Sequence, residues 1–147
     1  MEWAYCDSCI NCIFEGTNEI NRLLITGMLL KRAARGQLAL VPAAQLMSDL
    51  LGGLAAADGA DQETRLVSQA KKVVLLAMGA AYQKFLAEME KQQEVLMGIA
   101  ELAMEAFAME SVLLRSRKSS AAADICAVFL CDAMARMEVT ARTVLAA

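Results

Sequence analysis

Apolar residues recur along the chain at three- and four-residue steps, and the steps break at only a few places. Ile20, Leu23, Leu24, Gly27 and Leu30 share a stripe that predicts a helix over 17–35. Thr17 and Asn18 suit its start, and Lys31, Arg32, Arg35 and Gly36 are the cations and glycine of a helix end. Leu66, Ala70, Val73, Val74, Ala77, Ala80, Ala81 and Leu86 carry a second stripe from Gln62 to about Lys91. The polar run Glu88–Glu94 predicts a turn or kink. Val95, Leu96, Ile99, Leu102, Ala103, Ala106, Phe107, Met109 and Leu113 then form a third stripe, ending in Arg115-Ser116-Arg117-Lys118. Ser119–Ala123 reads as a connector, and Ile125, Val128, Phe129, Met134, Met137 and Val144 as the last stripe.

Between these stripes the pattern is weaker. Residues 1–14 read as the end of a helix running into a turn. Gln37–Val41 is a short connector, and Pro42 can open a helix that Gln45–Ala57 continues, weakened at Gly52 and Gly53. Asp58-Gly59-Ala60-Asp61 is the clearest break. The chain therefore divides into 1–36, a connector with a short helix at 37–61, and a helical unit at 62–147. Three long amphipathic helices on short links predict an all-α antiparallel bundle.

Composition sharpens this picture. At 58% apolar and 21% charged, the 147 residues suit a packed core rather than a disordered chain. A net charge of −3, mixed along the sequence, argues against nucleic acid as a partner. The ten methionines fall on helical stripes and read as core rather than as a binding groove. No stretch of the length of a membrane span lacks charges, and the first residues lack the basic start and apolar run of a signal peptide. With five cysteines, that predicts a cytoplasmic, reducing setting with free thiols. Arg115–Lys118 reads as a solvated helix end, with peripheral contact to anionic lipid as the alternative.

Histidine is absent, so acid–base chemistry rests on carboxylates. Cys6, Cys9 and Cys12 are spaced by threes and would share a helical stripe. Cys126 and Cys131 do not supply the matching pair that zinc or iron–sulfur sites use, so no metal site is assigned. The stretch Ile13-Phe14-Glu15-Gly16-Thr17-Asn18-Glu19-Ile20-Asn21-Arg22 carries more chemistry. An apolar pair ends in a carboxylate, and Gly16 allows close approach to the backbone. A carboxylate beside apolar residues loses hydration and becomes a stronger base, as abstraction of a weakly acidic C–H requires. The bland alternative is a surface glutamate in an ordinary turn.

The string IFEGTNEI followed by NRLLI resembles the C-terminal catalytic segment of the acyl-CoA dehydrogenases, flavoenzymes that place a double bond between Cα and Cβ of a fatty acyl thioester. AFAMESVLLRSRKS and CAVFLCDAMARM resemble the extra helical domain of the very-long-chain type and its bacterial relatives. The likeness is strong over residues 5–35 and weaker beyond. It implies that Glu15 is the base for the α-proton, that Gly16 lines the thioester, and that Thr17, Asn18 and Glu19 touch FAD. A helix start there would offer free N–H groups to the diphosphate or ribose. Residues 1–36 would end the dehydrogenase C-terminal helical domain, and 62–147 would be the extra bundle. Family members often carry arginine where this chain has Cys6, Cys9 and Cys12.

The resemblance also implies parts that this sequence lacks, namely a helical domain and a β-domain that hold most of the flavin and the acyl-CoA. The expectation is a C-terminal fragment or subunit that does not turn over or retain FAD alone. It would act as a homo-oligomer or with a partner chain supplying the missing domains. The alternative is a non-catalytic, self-associating helical bundle whose helix 17–35 exposes apolar faces.

Overall fold

The computed structural model describes residues 2–37, 61–118 and 122–147. Among them are five α-helices: α1 (Glu2–Ile10), α2 (Asn18–Ala34), α3 (Gln62–Phe85), α4 (Gln93–Ser116) and α5 (Ala123–Ala146). A 3₁₀ segment, Leu86–Lys91, links α3 to α4, and no strand occurs among the described residues. The all-α class predicted from the stripes is therefore observed. The helix predicted from Pro42 through Ala57, and the break at Asp58-Gly59-Ala60, lie outside the described residues. No described helix is long and apolar enough to cross a membrane.

Side-chain pairings fix the directions. Arg117, capping the end of α4, donates to Asp61 Oδ2 at 3.1 Å and to Thr64 Oγ1 at 2.6 Å at the start of α3. Asp61 also accepts the Thr64 N–H at 2.8 Å, as an N-cap does. The hydroxyl of Thr64, its N–H and the Arg117 guanidinium, in that order of weight, hold the Asp61 carboxyl below its usual range. Along the other seam, Glu105 of α4 pairs with Arg136 of α5, and Gly98 lies against Val144 and Thr140. Both seams therefore join antiparallel helices.

Helix α4 is the centre, packed by α2, α3 and α5. Its Ile99, Leu102 and Met109 are fully buried with Cys126, Leu130 and Met137 of α5. Ala70, Ala77 and Ala81 on α3 let that helix come close, and Met78 fills the space beside them. Each large side chain so buried contributes about 1.5–3 kcal/mol of transfer free energy. The methionines Met78, Met89, Met109 and Met137 are core residues, in line with their spacing.

Helix α2 lies antiparallel along α4. Its Leu23, Leu29 and Leu30 pack on the core, and Thr26, fully buried, donates its hydroxyl to the Leu96 carbonyl at 2.7 Å. The helix ends as its sequence predicts: Gly36 takes φ 70°, its N–H reaches Ala33 O at 2.9 Å, and Gln37 N–H reaches Arg32 O at 2.9 Å.

Two expectations need correction. The second stripe does not run as α-helix to Lys91; α3 stops at Phe85, and the tighter 3₁₀ turn brings Met89 into the core. Gln92, at φ −89° and ψ 65°, then makes the break before α4. Phe107 on α4 and Ile125 and Val128 on α5 are not core; they are 73%, 70% and 62% exposed. The neighbours of α4 and α5 cover their other faces and leave these without a partner among the described residues. Ile20 and Leu24 also point outward, in line with the apolar faces expected to be exposed on helix 17–35, while the polar Thr26 takes the buried position on α2.

Candidate functional site

Helix α1 tightens before it stops. Asn11 and Cys12 donate to carbonyls three residues back, Ser8 O and Cys9 O, each at 3.2 Å, and Phe14 N–H reaches Ile10 O at 2.9 Å. Glu15 then adopts φ 58° and Gly16 φ 101°. Glycine tolerates that region freely, whereas a side-chain-bearing residue there costs on the order of 1–2 kcal/mol. A glutamate held in a left-handed conformation is the kind of outlier that concentrates at functional sites.

The far side of the turn is the start of α2. Thr17 is its N-cap, with Oγ1 accepting the Ile20 N–H at 3.4 Å. Asn18 N–H donates across the loop to Cys12 O at 3.1 Å, and Asn21 Nδ2 donates to Gly16 O at 3.0 Å. The Glu19 carboxyl is held below its usual range, chiefly by its own N–H, then by the Thr17 hydroxyl, with the Arg22 cation adding to both. The N–H groups of Asn18 and Ile20 therefore have partners within the chain. The helix start expected to face the diphosphate or ribose of a nucleotide is thus capped in part from within and carries the Glu19 carboxylate.

Glu15 is exposed, and so are Ile13 and Phe14, whose apolar surface was expected to desolvate it. Any desolvation must come from protein or substrate laid over this face. Cys6 and Cys9 lie on α1, but Cys12 falls past its end in the turn, so the three do not form one helical stripe. All three are exposed free thiols, and no group of three metal-binding residue types converges among the described residues.

One turn beyond the cap, α2 borders a cleft of about 490 Å³ with α4 and α5. Arg136 crosses it to Glu105 in a two-point pair at 2.7 and 3.1 Å, with its guanidinium 5.9 Å from the Phe129 ring. Arg22 faces Glu101 there, with Nε 3.4 Å from the carboxylate and no hydrogen bond made by that buried atom. Sequence reasoning missed this cleft and missed Asn21 and Thr26. The legible signal was the polar residues at 21, 22 and 26 within an apolar-periodic helix.

Comparison with known proteins gives three findings. A family model described as "Acyl-CoA dehydrogenase, C-terminal domain" matches residues 69–147, most of α3 and all of α4 and α5. A probable acyl-CoA dehydrogenase of Bacillus subtilis (strain 168) is 44% identical over 126 residues, covering 83% of this chain and 21% of its own. A crystal structure of an acyl-CoA dehydrogenase complexed with FAD from Bacillus anthracis aligns over 95% of this chain and 25% of its own, at 36% identity and TM-score 0.81. The chain thus spans between a fifth and a quarter of the length of these relatives.

Proposed function

Because the chain belongs to the acyl-CoA dehydrogenase family through its C-terminal domain, we propose that it is the C-terminal part, or a separate subunit, of a flavin-dependent acyl-CoA dehydrogenase of fatty-acid β-oxidation. Residues 1–36 end the catalytic helical domain in this reading, 37–61 connect, and 62–147 form the extra bundle of a very-long-chain-like type. Glu15 is the base. Its carboxylate takes the α-proton of the acyl thioester, the C–H pair becomes the new Cα=Cβ bond, and the β-hydrogen departs with its own electron pair. FAD, when bound, supplies the acceptor for that hydride.

Gly16 lets the thioester approach the backbone without meeting a Cβ. Thr17, Asn18 and Glu19 are the segment that would touch the cofactor in this reading, and the Thr17 cap at the start of α2 holds their backbone in place. The observation that carries the reading is the left-handed Glu15–Gly16 turn at the mouth of α2, in a chain similar to an FAD-complexed dehydrogenase. That α1 buries none of its residues and that α2 exposes Ile20, Leu24 and Met28 supports a larger body over this face. With Glu15 open to water, the chain alone does not turn over or hold FAD.

The test is complementation. Mixed with a chain carrying the flavin-binding domains, this protein should restore acyl-CoA oxidation. Glu15→Gln should lower that activity on the order of 10²–10⁴-fold. Equal activity for the variant refutes Glu15 as base. A second reading, a non-catalytic self-associating bundle, draws on exposed Phe107 and Ile125. Sedimentation showing a strict monomer at high concentration removes it.

A further inference from the structure

Two successive residues at positive φ, Glu15 and Gly16, do not hold themselves; such a turn persists only where surrounding bonds over-determine it. Three bonds do so. Phe14 N–H closes the end of α1 on Ile10 O, and Asn18 N–H bridges the mouth of the loop to Cys12 O. The third comes from a side chain: Asn21 Nδ2 reaches back five residues to Gly16 O at 3.0 Å, in a part-buried position. The same amide's Oδ1 would stand 3.1 Å from a Cβ at position 16. Asn21 thus contacts both the glycine's carbonyl and the space left by its missing side chain.

We infer that Asn21 is the positioning residue of the turn, its amide fixing the Gly16 carbonyl and, through that peptide, the left-handed backbone that aims the Glu15 carboxylate. Helix stability does not call for asparagine at this fourth helical position, where leucine or glutamine would serve better. The hold is anchored in the bundle, because α2 is itself pinned by the buried Thr26 hydroxyl on Leu96 O at 2.7 Å. A continuous path of packed and hydrogen-bonded groups therefore runs from α4 through α2 and Asn21 to Glu15. Sites gain precision when carried on rigid elements in this way. The inference rests on the proposed function only for the catalytic meaning of Glu15; the hold is a property of this chain.

The test is NMR spectroscopy on the full chain and on Asn21→Asp and Asn21→Leu. Asn21→Asp keeps shape, loses the donor and places a negative charge near a helix N-terminus, so α2 is not weakened by it. A strong intraresidue HN–Hα NOE marks positive φ. It is expected at Glu15 in the parent and lost in both variants, with Asn18 amide protection falling about tenfold, the scale of one hydrogen bond. Protection along 22–30 and the global melting transition should not move. A retained NOE in both variants overturns the inference. So does loss of protection along 22–30 in both, which would make Asn21 an ordinary helix support. In the complemented enzyme, the variants should lower kcat with KM unchanged. A lost NOE with unaltered kcat would sustain the hold and refute Glu15 as base, so the two failures are distinguishable.

Discussion

Replacing Gly98 by alanine adds one methyl group to the α4–α5 seam, where its Cβ would sit 2.5 Å from Val144 Cγ2 and 3.7 Å from Thr140 Cγ2. Carbon atoms in contact prefer roughly 3.5–4.0 Å, so about 1 Å must be found. Val144 is buried and β-branched, which leaves it essentially one rotamer in a helix, so the helices must separate instead. Such overpacking costs about 1–3 kcal/mol. Alanine recovers about 1 kcal/mol over glycine in a helix interior, whatever its surroundings. Gly79 on α3 isolates that gain, because nothing lies within 4 Å of a Cβ built there.

Gly79→Ala should stabilise the protein by about 0.5–1 kcal/mol. Gly98→Ala should be destabilising by about 1 kcal/mol, and the propensity gain cancels in the difference between the two. What remains is the overpacking alone, about 1–3 kcal/mol, or roughly 3–10 °C in melting temperature for a chain of this length. Urea melts followed by far-UV circular dichroism measure it. Adding Val144→Ala to Gly98→Ala should recover part of the loss, giving a coupling within about 0.5–3 kcal/mol. If both glycine variants stabilise the chain equally, α4 and α5 do not meet at Gly98 as described.

Thr26→Val removes a buried hydroxyl at nearly constant volume and should cost about 0.5–1.5 kcal/mol, with α2 amides losing exchange protection before α4 amides. Equal loss in both helices would mean that α2 is not pinned by this bond. The Asp61 carboxyl, lowered by Thr64 and Arg117, stabilises the fold above its unfolded-state pKa and loses that contribution as pH falls through the lowered value. Asp61→Asn should therefore lower stability at neutral pH and flatten the acid limb of urea-melt stability against pH; an unchanged limb contradicts the capping role. Cys6, Cys9, Cys12 and Cys131 should react quickly with a thiol reagent in the native protein, and Cys126 only on unfolding. Five fast thiols would place Cys126 outside the core.

The helices and most of the core stripes were legible because burial in a bundle repeats with the period of the helix itself. Ile99, Leu102, Met109 and Met137 could be placed in the core from spacing alone. So could both ends of α2, because Thr17 and Gly36 act through bonds to residues within a few positions of themselves. The Glu15–Gly16 turn was legible as a motif, though its left-handed backbone was not. Glutamate carries no preference for that conformation, and the Phe14–Ile10, Asn18–Cys12 and Asn21–Gly16 bonds impose it.

What the sequence determined by itself was local: helical class, caps, breaks, and a lone carboxylate before a glycine at a helix mouth. Which side of each stripe meets a neighbour was decided only in three dimensions. Phe107, Ile125, Ile20 and Leu24 fit the helical period as well as buried residues do, yet they are exposed, because α4 and α5 have neighbours on some faces and not on others. Thr26 is buried against its polarity because the Leu96 carbonyl lies opposite it, seventy residues away in sequence. Periodicity encodes a helix's own geometry, whereas a partner's position depends on the whole chain, and that reaches a residue only through packing.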